Sequence, residues 1–166
     1  MAAKLSAGDV IQLLGLAPLP GEGGSFRRTR TVPDQDHPHA PLSTSILYLV
    51  TPDSWSGLHM LDADELFHLL MGDPCRMVVS SPQGEIDLRC IGPDRRRGCV
   101  LQTCVVGGMW QGTKLEVDGD HGFALFGATM MPGFRPDRFT LATDADLLAL
   151  PEAAAIVLRP YLAPAQ

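Results

Sequence analysis

Between Ser45 and Thr129 the chain is cut into apolar runs of about four to eight residues, each closed by a turn signal. This punctuation limits the fold more than any other feature. The 17 Gly and 14 Pro that supply the breaks leave no room for helices of bundle length. Runs this short, rich in Val, Ile, Leu and Phe, read as strands of an antiparallel barrel or sandwich. They fall near 45–51, 55–61, 65–71, 75–81, 85–91, 99–106, 109–117 and 121–130, with ends placed to about two to four residues. The clearest pair is a hairpin. Cys75, Met77 and Val79 alternate with Arg76, Val78 and Ser80, Ser81-Pro82-Gln83-Gly84 turns, and Ile86, Leu88 and Cys90 alternate with Asp87 and Arg89. Such alternation predicts one face in a core and the other in solvent.

The flanks differ. Val10, Ile11, Leu13 and Leu14 make a helical stripe over Ser6–Leu16, with Ser6 as cap, Asp9 at the positive end and Gly15 as a left-handed stop. Residues 17–43, with repeated Pro and Gly, show no period and read as an irregular arm. Past Gly133 helical patterns return: Thr143 caps Asp144–Leu148, and Pro151 opens Glu152-Ala-Ala-Ala-Ile. The reading is an all-β-dominated domain over 1–166, with an N-terminal helix and arm (1–43), a barrel (44–131) and a helical segment (132–166) packed outside it.

Composition excludes some functions. With 13 Lys and Arg against 19 Asp and Glu, the formal charge of −6 offers no field to attract nucleic acid or anionic lipid. No signal-peptide pattern or bilayer-spanning run appears, so a cytoplasmic protein without membrane partners is expected. Cys75, Cys90, Cys99 and Cys104 form no CxxC pair and are read as buried free thiols.

His59, Glu65 and His68 form the densest cluster of groups that bind divalent metals or move protons near neutral pH. Their neighbours are apolar, so they must be paired, ligated or neutral. Satisfied core histidines with an ion-paired Glu65 would give the same pattern. Other features carry less. His37-Pro38-His39 reads as a solvated loop, Gly21-Glu22-Gly23-Gly24 as a turn and not a phosphate loop, Asp118-Gly119-Asp120-His121 as a hairpin turn and not a calcium site, and Arg95-Arg96-Arg97 as a solvated charge run.

The spacing of Glu65 and Gly72 resembles the first motif of the cupin superfamily. His59 falls on that motif's first His and Leu61 on its second. Val106-Gly107-Gly108-Met109-Trp110-Gln111 resembles the second motif, with Gln111 at the ligand His. Five ordered segments resemble the cupin-5 subfamily, a domain of unknown function: Glu22-Gly23-Gly24-Ser25-Phe26-Arg27-Arg28-Thr29, Ser43–Leu49, Asp64-Glu65-Leu66-Phe67-His68, Gly108–Gln111 and Pro132-Gly133-Phe134. Two departures are Leu19 in place of a His between prolines and Phe67 in place of Trp.

The resemblance implies an antiparallel jelly-roll (cupin) barrel, similar in fold to sugar-nucleotide epimerases, and a homodimer. Two functions follow from it: a small-molecule-binding cupin running an isomerase, epimerase or lyase reaction on a carbohydrate-like or other polar metabolite, or a non-catalytic ligand-binding or storage cupin. His59 and Glu65 are the candidate catalytic pair. Gln111, Gln102, Trp110, Phe67, His68 and Arg28 are the candidate substrate-binding residues. A metal site would draw on His59, Glu65, Gln111 and His68. With Leu61 and Gln111 replacing two imidazoles, the expectation is weak binding of zinc, nickel, iron or manganese. In the barrel His59, Leu61, Glu65 and Phe67 share inward parity; His68 faces out unless a bulge near Ala63 or Asp64 re-aims it.

Overall fold

Ser6 and Asp9 satisfy each other's backbone amides in a reciprocal cap, and Gly15 closes the helix at φ 61°, so the first element is α1 (Ala7–Leu14). The computed structural model describes residues 4–116 and 119–164. Val10 of α1 is buried with Leu16 against Leu49, Phe123 and Leu125 on the outside of a sheet.

That sheet runs β1 (Ala17–Pro18), β2 (Ser25–Val32), β3 (Ser43–Val50), β10 (Ala124–Met131), β5 (Asp64–Gly72), β8 (Gln102–Val105). The facing sheet runs β11 (Phe139–Leu141), β4 (Ser56–Leu61), β9 (Trp110–Leu115), β6 (Cys75–Ser80), β7 (Ile86–Ile91). All strand pairs are antiparallel. Met77, Val79, Phe126, Phe67 and Tyr48 from both sheets close the interior at one end, and a cavity occupies the other. The C-terminal helices α2 (Asp144–Leu148) and α3 (Glu152–Leu158) cover the outer face of the second sheet, where Leu147 and Leu158 meet Leu58, Val78 and Trp110.

The eight expected strands are all present, and the differences have physical causes. Ser25–Val32 is a strand and not part of an irregular arm. Its Arg-Arg-Thr-Arg run carries no apolar alternation because the outer side of this near-edge strand faces water. Phe139–Leu141 likewise adds a strand beyond residue 131. In the hairpin, Val78 and Ser80 are buried along with the inner residues, because the C-terminal helices replace solvent over them. On β7 the parity is reversed from the reading. Leu88 pairs with Val78 on the outer face and is exposed, while Arg89 pairs with Met77 on the inner face. As an edge strand β7 has no core beneath it at Arg89, which instead donates across the seam to the Cys104 carbonyl at 2.7 Å and the Thr103 hydroxyl at 3.0 Å.

Two further corrections concern cysteine and turns. Cys90 and Cys99 form a disulfide around the Arg95–Arg97 turn, leaving Cys75 buried and Cys104 exposed as free thiols. Sequence spacing could not show that β7 and the chain returning from that turn come side by side. The connection after β9 crosses between sheets and is no hairpin, since β9 and β10 lie in different sheets. Asp118 lies outside the described residues, as does Val117 at the end of the expected 109–117 strand. Buried Asp73 anchors this crossing by accepting hydrogen bonds from the His121 and Gly122 amides.

Candidate functional site

The cavity, about 210 Å³, opens between the two sheets where β2, β3, β5 and β10 face β4 and β11. His59, Leu61, Glu65 and Phe67 all line it, as the alternation of β4 and β5 requires. His59 pairs across the backbone with Gln111 of β9, and Glu65 reaches in from the opposite sheet.

Gln111 joins them. Its amide nitrogen lies 3.1 Å from His59 Nε2 and donates to Glu65 Oε2 at 2.8 Å. His59 Nδ1 is 2.7 Å from the Gly57 carbonyl, which can only accept, so Nδ1 carries a hydrogen. The other ring nitrogen, Nε2, then faces the Gln111 amide nitrogen. Among the described residues none gives the buried Gln111 Oε1 atom a hydrogen-bond partner. Burial, opposed by His59 and the Gln111 hydrogen bond and helped by the charge of nearby Glu22, raises the Glu65 carboxyl from 4.5 to about 7.

Glu22 sits behind the imidazole. Its Oε1 accepts from Tyr48 Oη at 3.0 Å and Ser56 Oγ at 2.8 Å and lies 3.8 Å from His59 Nδ1. Burial, then the charge of Glu22, drives the Tyr48 phenol well up, so it stays a donor. The turn carrying Glu22 can close down on Tyr48 only because Gly23 and Gly24 have positive φ. A Cβ at Gly24 would stand 2.6 Å from the tyrosine ring, and one at Gly23 would stand 2.4 Å from the Trp55 carbonyl. Phe139 stacks on the His59 ring at 5.4 Å, Phe134 meets Phe139 edge-on, and the Arg28 guanidinium lies 5.7 Å over Phe134.

The structure thus brings together His59, Glu65, Gln111, Phe67 and Arg28. It separates the rest. Trp110 packs outward beneath the C-terminal helices and forms no cavity wall, because its parity is opposite to that of Gln111. His68 and Gln102 face each other on β5 and β8 and do not line the cavity. Among the described residues the strand register shifts between Arg28 and Arg30, near Ser56–His59 and opposite Leu125–Phe126, with no shift at Ala63–Asp64 to re-aim His68. Glu22 and Tyr48 went unremarked as site residues in the sequence. Tyr48 had a signal, since Thr44, Ile46 and Tyr48 alternate inward along β3. Glu22 had only its place ahead of two glycines.

A metal is the usual question for such a barrel. Among the described residues no group of three or more His, Cys, Asp or Glu side chains is arranged to hold one. The Gln111 amide hydrogens take the acceptor positions on His59 and Glu65 that a cation would need, and the orphaned Gln111 carbonyl belongs to the other end of the same amide. This donor set does not fit a metal ion. Among the described residues no helix is long and apolar enough to cross a membrane.

The family described as Cupin superfamily (DUF985) matches residues 8–142 of the chain. The uncharacterized protein YML079W of Saccharomyces cerevisiae is 29% identical over 143 residues, 76% of this chain and 71% of the yeast protein. Protein SO0799 from Shewanella oneidensis superposes with a TM-score of 0.88 at 30% identity, over 97% of this chain and 99% of that one. A hypothetical protein from Leishmania major gives 0.83 at 27% identity, over 96% and 99%. Oxalate decarboxylase from Bacillus subtilis matches at 0.55 with 17% identity, over 86% of this chain and 33% of that chain, a likeness of fold alone.

Proposed function

The chain belongs to the DUF985 family of the cupin superfamily, and on that premise we propose that it binds a small polar metabolite in its barrel and moves a proton on it, in an isomerase, epimerase or lyase reaction. One observation carries the reading. Glu65 lines the cavity with its carboxyl raised to about 7, so both its acid and its base forms are populated at neutral pH. A group this poised can take a proton from a carbon next to a carbonyl, or from a hydroxyl, and return it to a neighbouring atom. A carbohydrate-like substrate offers both kinds of hydrogen.

The other residues hold and tune this group. Gln111 fixes Glu65 Oε2 through its amide. His59, fixed by Gly57, favours the ionised carboxyl electrostatically, and Glu22 opposes it. Phe67, Leu61 and Phe139 exclude water and so strengthen these interactions. Oxalate decarboxylase contains Mn(II) centres; the donor set here does not fit such an ion, and no step is routed through one.

A second reading, a binding or storage cupin without turnover, is favoured by the Gln111 bridge, which already satisfies His59 and Glu65 mutually. Deuterium wash-in separates the two. Aldoses, ketoses and hydroxy acids are incubated with the protein in D2O and followed by proton NMR. Turnover replaces one carbon-bound hydrogen of a ligand with wild type and not with Glu65→Gln. Binding without exchange supports the storage reading.

A further inference from the structure

Arg28 is the only permanent cation among the residues lining the cavity, and the carboxylates that share it, Glu22 and Glu65, are held elsewhere in the lining by Tyr48 and Gln111. Among the described residues no carboxylate pairs with Arg28, and no side-chain or backbone acceptor takes its guanidinium hydrogens. Among the described residues Arg27 and Arg30 on the same strand also form no ion pair, but they do not line this cavity. Instead the Arg28 guanidinium lies over the Phe134 ring at 5.7 Å. A guanidinium in cation–π contact with an aromatic face keeps hydrogens free for a further acceptor, and a carboxylate matches its planar fork.

Position adds orientation. Arg28, Ile46, Ala128 and Phe67 form one row across the first sheet, and Glu65 stands two residues along β5 from Phe67. The row spans three strand spacings, roughly 14 Å between backbones; exposed Arg28 lines the cavity from one end of it and buried Glu65 from beside the other. Apolar Ile46, Leu61 and Met130 line the same cavity. A second anionic group on a ligand would have to lie near Glu22 and Glu65, where like charge disfavours it.

We infer that the cavity takes a short monocarboxylic acid bearing a hydroxyl or carbonyl group, with its carboxylate on Arg28 and its neutral oxygen end at Glu65 and His59. The inference deepens the proton-transfer reading and rests on it for the role of the Glu65 end. Arg28 is then a specificity-determining residue. It selects acids over their neutral amides, while Glu65 acts on the other end of the same molecule.

The test uses the full chain and the probes lactate, pyruvate, glycerate and their primary amides, titrated by amide-resolved NMR. At least one acid is expected to bind saturably at millimolar concentration, with its amide about tenfold weaker or more, as loss of a charge-assisted pair implies. Arg28→Gln should remove that preference, Arg28→Lys should restore part of it, and Arg27→Gln on the opposite face of β2 should leave it unchanged. No saturable acid, equal affinity for acid and amide, or a preference that survives Arg28→Gln overturns the inference. Glu65→Gln separates the two proposals. It should keep the acid preference while abolishing deuterium wash-in. An acid preference lost with Arg28→Gln, but without wash-in in wild type, leaves the Arg28 site standing and removes the proton-transfer reading.

Discussion

Replacing Glu65 with Gln tests the physical origin of the proposed chemistry, because glutamine keeps the shape and cannot ionise. The folded carboxyl titrates at about 7, against 4.5 when unperturbed. A folded pKa above the unfolded one means that the native state binds the proton more tightly. This stabilising contribution is complete below about pH 4.5, falls as pH rises, and is lost by about pH 7. A shift of this size corresponds to about 3 kcal/mol. Unfolding free energies of wild type and Glu65→Gln, measured in urea from pH 4.5 to 8, isolate the effect, since contributions of the distant carboxylates Asp9, Asp137 and Asp146 cancel in the difference. Near pH 4.5 the two should be closest. Above pH 7 the variant should gain about 3 kcal/mol relative to wild type. A difference that does not change with pH across this window would refute the reasoning, because it would mean that burial imposes no cost on the charged form.

Gln111→Leu should lower stability by about 1–3 kcal/mol, because it strands acceptors on His59 and Glu65 in a buried site; denaturant melts check this, and an unchanged midpoint contradicts it. Gly24→Ala places a Cβ against the Tyr48 ring at φ 70° and should cost about 1–3 kcal/mol, read as a lowered thermal midpoint. Cys99→Ser opens a cross-link of sequence separation 9 and should cost about 2–3 kcal/mol under oxidising conditions; equal stability of the two proteins there would exclude the bond. We further expect a homodimer in sedimentation velocity, given exposed Leu70, Leu101 and Val106 on and beside β5 and β8, and a clean monomer at micromolar concentration would count against it.

Much of this fold is legible because one face of each central strand is buried, which writes the alternation into the sequence. Helix α1 is legible for a different reason: Ser6, Asp9 and Gly15 are local signals that need no partner. Legibility ends where burial comes from elsewhere in the chain. β2 reads as a loop because its arginines face water, although it carries Arg28 into the cavity wall. Val78 looks solvent-facing until helices some seventy residues later cover it. Arg89 looks solvent-facing and closes a seam between sheets. Within the site, parity places His59 and Glu65 on one cavity, and the missing imidazoles at Leu61 and Gln111 signal a changed centre. What Gln111 does instead depends on the separation of two sheets, which no periodicity encodes. Trp110 shows the limit of motif adjacency, since the residue beside Gln111 must face the other way.

The most direct measurement is the titration of the Glu65 side-chain carboxyl carbon by NMR in protein labelled with carbon-13 glutamate, assigned by its absence in Glu65→Gln. The account predicts a midpoint near 7, moving upward in His59→Ala as the stabilising imidazole is removed. A midpoint near 4.5, the value of an unburied carboxyl, would contradict it.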